Sequence, residues 1–418
     1  MQLQAVKSQP PLRTDAESQL IAHFAALKAA GAADMPTRIA AFSQFEKAGL
    51  PNRRIEAWHY TDLRRLMAEA LNPVERPSEA TLKAALLSKG TDAAIKLIDG
   101  VLAGGINLPA GVSVSAAPLS EAPLANSDVM VSLNGAFAAQ SVEIHVAAGA
   151  QIADPIHLLL KSPRKAAVST RIIIRVGAGA KVSFFEECRA ESGQHNNLLH
   201  FDIGDGAEVE HVALVANASQ QISTLTANIG ADVSFNTFAL VASGGLNRRQ
   251  TFARFNGENS KAGFRGVVLL KGQQHADTTL EVTHVAPHCE SRELYRHILD
   301  GHSKGVFQGR IVVEAQAQKT DGVMKSNTLA LSDHASMSNK PELEIFADDV
   351  VCGHGATVKQ LDDNELFYLQ ARGLPKPEAE SLLIEAFAVD VLDYITDENL
   401  RDKFNSKIHA WLLDRNQG

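Results

Sequence analysis

Between Asp15 and Ala30 the apolar residues Leu20, Ile21, Phe24 and Leu27 recur at three- and four-residue spacing. That spacing predicts an amphipathic helix, with Gly31 as its stop. A second helical pattern runs through Ile39, Phe42 and Phe45 to Gly49, and a third ends near Leu71, broken by Pro73 and Pro77. From about Val142 the texture changes to short β-branched runs at 142–146, 171–176, 182–185 and 209–214. Gly-Ala pairs at Gly149, Gly179, Gly206 and Gly230 separate them, 30, 27 and 24 residues apart, and a later pair begins at Gly355. Recurrence at that distance marks a repeat architecture. Each unit holds strands and no helix-length pattern, which favours a β-solenoid over a βαβ sheet, with a β-sandwich as the plainer alternative.

After Leu361 the helical pattern returns. Asp362 and Asp363 can cap a short helix closed by Gly373. Pro375 and Pro377 open a longer one through Leu382, Leu383, Phe387, Leu392 and Ile395, and Leu400, Phe404, Ile408 and Trp411 outline the last. The chain therefore divides into a helical region over 1–95, a β core over 96–360 and a helical region over 361–418. The terminal helices are expected to cover the open ends of the stack.

Composition narrows the classes. With 45% hydrophobic and 21% charged residues, the 418-residue chain can build a core and is not a disordered one. A net charge of -8 argues against non-specific nucleic-acid binding and against a basic membrane-surface protein. No run approaches the ~18 apolar residues of a membrane span. The stretch from Met1 to Asp15 lacks the basic and apolar blocks of a signal peptide. Cys188, Cys289 and Cys352 are odd in number and widely spaced, which does not suggest a disulfide framework. A cytoplasmic protein with reduced thiols is expected.

Nucleotide and hydrolase motifs are missing. There is no P-loop, zinc-protease helix, nucleophile elbow or C-x-x-C pair. The Gly177-Ala178-Gly179 and Gly204-Asp205-Gly206 runs lack a third glycine and lead into strands, so they are turns. His284, His288 and Cys289 lie close in sequence but match no zinc spacing, and Pro287 interrupts them. Asp348-Asp349 and Asp362-Asp363 are the carboxylates a polysaccharide lyase or hydrolase would draw on, yet neighbours on a strand point to opposite faces. Cys352 and His354 are better placed. On a strand they share one face with Cα atoms ~6.5–7 Å apart. A thiolate beside an imidazole suits iron, zinc or copper. Gly353 and Gly355 leave the backbone bare for a second surface. Two ligands do not complete a cluster site, so any cluster would need a second chain.

The ordered run from Val306 to Gly373 carries a resemblance to a known family. It comprises Val306-Phe307-Gln308-Gly309-Arg310-Ile311-Val312-Val313, Ala317-Gln318-Lys319-Thr320-Asp321, Pro341-Glu342-Leu343-Glu344-Ile345, Cys352-Gly353-His354-Gly355-Ala356-Thr357 and Leu366-Phe367-Tyr368-Leu369 with Arg372-Gly373. Together with Trp58-His59-Tyr60-Thr61-Asp62-Leu63 near the N-terminus, this resembles the SufB/SufD family, and cysteine poverty resembles its SufD branch. The resemblance implies a right-handed parallel β-helix between helical domains. It implies a non-catalytic scaffold role in iron–sulfur cluster assembly, in a cytoplasmic complex with SufB and the ATPase SufC. His354 then matches the family histidine at the SufB–SufD interface, with Cys352 beside it as an auxiliary ligand or packing residue. A transient cluster would be shared with SufB, ATP would sit on SufC, and reduced flavin belongs to such complexes. The faces around Phe387, Leu392 and Phe404 are expected to divide between capping the β-helix and docking SufC. An exposed β-helix edge also allows a homodimer of the isolated chain. The reading from a different class is a carbohydrate-active β-helix enzyme.

Overall fold

The computed structural model describes residues 13–31, 34–87, 95–105, 107–119, 128–190, 192–215, 220–242 and 244–417. Most of the first fifteen residues, and with them the leader question, lie outside that set.

The β region is a flattened parallel solenoid of about seven turns. Alternate strands build two facing sheets, of ten and nine strands. In each sheet the register runs without a bulge from coil to coil, for example Gln220 against Leu246 and Leu246 against His275. Ten-residue strands are typical, longer than the β-branched runs within them, and successive strands of the nine-stranded sheet begin 26 to 32 residues apart from Ala167 onward. Between the sheets lies the main core, with Ile144, Ile174, Phe201, Phe235, Phe264, Phe307 and Ile311 all buried. Phe201, Phe235 and Phe264 stack along the solenoid axis at 5.4 and 6.1 Å between centroids.

One turn position explains the glycine spacing. Gly149, Gly179 and Gly206 are followed in the stack by Asp232, Asn259, His288 and Lys319, all with φ between 54° and 69°. Each sits above the next through backbone bonds such as Gly179 N–H to Asp205 O, 2.8 Å. Glycine adopts this left-handed backbone freely, and Asn and Asp tolerate it. The pair at Gly230 is thus offset by two residues from the structural repeat, whose left-handed residue is Asp232. The pair at Gly355 is no turn, because it lies inside the strand Val351–Lys359.

Among the described residues most helices flank the solenoid's faces; Glu79–Leu87 packs on the first strands at one end, and no described helix caps the other, a correction to the expected caps at both ends. Asp15–Ala30, Met35–Ala48 and Val129–Phe137 pack with Trp58 and Leu63 over the nine-stranded sheet, against Ile222 and Leu246. Val129–Phe137 joins them from within the 96–360 span. Lys376–Val389 and Glu398–Gln417 cover the ten-stranded sheet, burying Val212, Leu214, Phe238, Leu240 and Val267. The third helical pattern yields one turn, Leu63–Leu66, and a 3-10 turn, Glu56–Trp58. Sheet strands with both faces buried supply the apolar area that these helices cover.

The Trp58 motif is a clamp between the N-terminal helices and the solenoid. The Trp58 indole N–H donates to Asp128 Oδ2 at 3.1 Å, and the Arg248 guanidinium stacks on its ring at 3.8 Å. Arg248 also donates to the Ala57 carbonyl at 2.7 Å and pairs with buried Asp277. Thr61 donates to the same carboxylate and stands 3.0 Å from His275 Nε2.

Candidate functional site at the open end of the solenoid

The strand Val351–Lys359 is the last of the ten-stranded sheet and Ser336–Ile345 the last of the nine-stranded one. Each pairs on one side only, with Asp321–Ala330 and Lys304–Val313 respectively. Their outer edges carry backbone N–H and C=O groups with no neighbouring strand, the usual template for another chain. Apolar residues gather there: Phe346 is 65% exposed, Val351 69% and Val358 54%.

Cys352 and His354 stand on this edge strand, in register with Gly322 and Met324. Cys352 is half-buried against the solenoid core, and His354 is exposed. Burial pushes the Cys352 thiol above its ordinary value; the Gly322 backbone N–H offsets part of this, while Asp321 and Glu293 add to it. The thiol is therefore protonated at neutral pH until a cation draws off the proton. A Cβ at Gly353 or Gly355 would meet no atom within 4 Å. Nothing within the described chain needs glycine there, and the space above both is free.

The register also brings up residues that sequence reasoning missed. Going inward from His354, the same column holds Met324 and then Glu293. Glu293 is 1% exposed with no well-formed hydrogen bond to either carboxyl oxygen among the described residues. Burial raises it to about 8, which keeps it a neutral acid at pH 7. His297 on the same strand is fully buried and pushed down to about 3 by burial alone. The strand Glu290–Leu299 is thus polar inside, through Ser291, Glu293, Tyr295 and His297. Its alternation was visible in the sequence. Which half faced the core was not.

The other candidates separate. His284 is buried, stacked on Phe255 at 4.4 Å and 3.1 Å from Ser291 Oγ. His288 is a left-handed turn residue, and the Cys289 thiol donates to the Gly257 carbonyl at 3.3 Å. Among the described residues, no group of three or more His, Cys, Asp or Glu could hold a metal ion. Asp349 pairs with Lys319 across the turn column, and Asp362 caps the helix Asp363–Ala371 through the N–H groups of Asn364 and Glu365.

At the C-terminus, Leu392 and Phe404 are buried against the ten-stranded sheet, with Phe404 5.8 Å from Phe238. They hold the helices to the solenoid and offer no surface to a partner, a correction to their docking role. Half-buried Phe387 lies beneath the cations of Arg296 and Lys359, at 4.7 and 6.0 Å. The free apolar surface is elsewhere. The helix Asp363–Ala371 buries no residue, and Phe367 is 72% exposed, Tyr368 57% and Leu382 46%. No helix among the described residues is long and apolar enough to cross a membrane.

Comparison with known proteins identifies the family. The family described as "SUF system FeS cluster assembly, SufBD core domain" matches residues 158–387, more than half of the chain. An iron–sulfur cluster assembly SufBD family protein of Synechocystis is 28% identical over 436 residues, covering 96% of this chain and 93% of the relative. The iron–sulfur cluster assembly protein SufD of Escherichia coli is 27% identical over 380 residues, covering 87% and 90%. SufD of Bacillus subtilis is 25% identical, covering 67% and 66%. The chain belongs to the SufBD family of the SUF iron–sulfur cluster assembly system, and within it is SufD-like.

Proposed function

We propose that this chain is a non-catalytic scaffold that joins a SufB-type partner at its open end and the ATPase SufC through its C-terminal helices. The observation that carries the reading is the open end itself. Two unpaired strand edges, exposed apolar residues and the Cys352–His354 pair coincide there, and the opposite end is covered. A partner solenoid of the same repeat would continue both sheets and bring its own ligands against His354 and Cys352. The iron–sulfur cluster is the product built at that junction and stays there transiently. Half-buried Cys352 fits an auxiliary ligand that becomes a thiolate when iron binds. ATP belongs to SufC and reduced flavin to the assembled complex, which is a cytoplasmic one.

The docking surface for the ATPase shifts from Leu392 and Phe404 to the exposed Phe367, Tyr368 and Leu382, beside the groove lined by Tyr368, Leu369 and Leu383. The carbohydrate-active reading loses its acidic pairs, which serve a turn and a helix cap.

The test is co-expression of the tagged chain with SufB and SufC, then anaerobic reconstitution with iron and sulfide analysis. His354→Ala should leave the complex assembled while cluster yield falls at least tenfold. Full yield from that complex removes His354 from the site. Phe367→Glu with Tyr368→Glu should release SufC and retain SufB.

A further inference from the structure

A second site lies far from the open end, between the N-terminal helices and the outer face of the nine-stranded sheet. A cavity of about 110 Å³ opens there. Leu63, Met67, Met130, Leu133, Ile222 and Leu246 form its apolar wall, and Asp99, His195 and Asn196 are among its polar lining.

The polar residues are incompletely satisfied. Asp99 is 3% exposed, and its Oδ2 accepts two hydrogen bonds from Arg164, at 3.0 and 2.6 Å. Its Oδ1 is buried with no partner among the described residues. Asn196 donates its amide to the Met130 carbonyl at 2.7 Å, and its Oδ1 likewise lacks a partner. A buried acceptor without a donor is costly, so such atoms in native proteins usually have water or a ligand group to pair with. The apolar part has the opposite character. An engineered apolar cavity of about 150 Å³ stays dry and takes up benzene; the cavity here is smaller, but it is open to one side, so one small aromatic molecule can seat with its edge in the mouth.

We propose that this cavity binds a small, mostly apolar aromatic molecule that carries one N–H or O–H donor, of the indole or phenol class. Its ring lies among the leucine and methionine side chains and its donor pairs with Asp99 Oδ1. Burial keeps His195 below its ordinary value, so the polar end holds a neutral imidazole beside the Asp99–Arg164 pair. Ala139, exposed and lining the cavity, marks its mouth. The site is independent of the cluster-assembly reading.

The experiment uses the full-length protein, with indole as probe and indene as the equal-sized ring system without a donor. Saturation is followed by ligand-detected NMR and by the thermal midpoint. Indole should bind saturably, and indene at least tenfold more weakly. Ala139→Trp, an exposed position that leaves the fold intact, should abolish indole binding at an unchanged thermal midpoint. Asp99→Asn should weaken indole about tenfold and leave indene as it was. No saturable indole binding up to its solubility overturns the site, as does undiminished binding by Ala139→Trp. Equal affinities for indole and indene overturn the donor assignment.

Discussion

The two ends of the solenoid come from one strand pattern and meet opposite fates. At the start, Ile95–Ile98 is covered by the antiparallel strand Val101–Gly105, and Ser141–Val146 by antiparallel Val112–Ala117. The helix Glu79–Leu87 closes further, with Leu86 against Gly104. A reversed strand breaks the parallel repeat, so the stack cannot be extended there in kind. At the far end the parallel register simply stops, and Val351–Lys359 and Ser336–Ile345 keep free edges. Natural sheets cover or charge their edges. One end is thus covered, and the other leaves apolar residues exposed beside free strand edges.

The comparison predicts that substitutions in the covered regions cost stability and substitutions at the open end cost association. The largest effects fall under the C-terminal helices. Phe404→Ala removes a fully buried ring packed between Phe185 and Phe238 and should destabilise the chain by about 3–5 kcal/mol in urea unfolding. A loss below about 1 kcal/mol would mean those helices are not part of the cooperative fold. Asp277→Ala strands the buried Arg248 guanidinium in the Trp58 clamp and should cost about 3–5 kcal/mol. Loosening of the N-terminal helices would show in hydrogen exchange before the solenoid itself opens.

At the open end the pattern reverses. Val351→Asp should alter stability by less than about 0.5 kcal/mol, as an exposed position does. It should weaken association with a SufB-type partner at least tenfold in sedimentation experiments; unchanged association would place the interface elsewhere. Gly353→Ala meets no atom within 4 Å and should be silent in unfolding, so any defect in complex formation reports a partner surface above it.

The smallest effect concerns acid. Glu187 feels burial, which raises its pKa, but hydrogen bonds from His157 and Arg189 and the charge of Lys403 outweigh it and hold the carboxyl at about 2. Its folded value lies below its unfolded one, so its contribution is present above about pH 4.5 and is lost as the pH falls towards 2. Glu187→Gln should lower stability at pH 6 and flatten the fall between pH 4.5 and 2, read by guanidinium unfolding across that range. An unchanged slope would show that the ionised Glu187, with its His157, Arg189 and Lys403 partners, contributes nothing to stability.

Much of this was legible in the chain. Apolar spacing located Asp15–Ala30 and placed Leu400, Phe404, Ile408 and Trp411 on the last helix, Glu398–Gln417, and the glycine repeat exposed the approximate coil length. Cys352 and His354 fell on one strand face as the two-residue period requires. The rest needed long-range information. Leu392 and Phe404 look like any apolar helix face, and only the sheet that meets them distinguishes core from docking surface. Glu293 was hidden for a related reason. On the strand Glu290–Leu299 the polar residues Ser291, Glu293, Tyr295 and His297 point inward while Arg292 and Arg296 point out, so neither half of the alternation advertises the core.

By itself the sequence determined what depends on neighbours along the chain: the longer terminal helices, the strand period, the left-handed glycine turns at Gly149, Gly179 and Gly206, and the shared strand face of Cys352 and His354. Tertiary structure alone decided which face of each strand looks inward, which apolar helix faces are spent on the solenoid, and which end stays open. A strand with helices outside and a core inside buries both faces, as Glu208–Val215 does over seven of its eight residues. Its pattern then carries no sidedness, and only the docking of elements tens to hundreds of residues away can supply it.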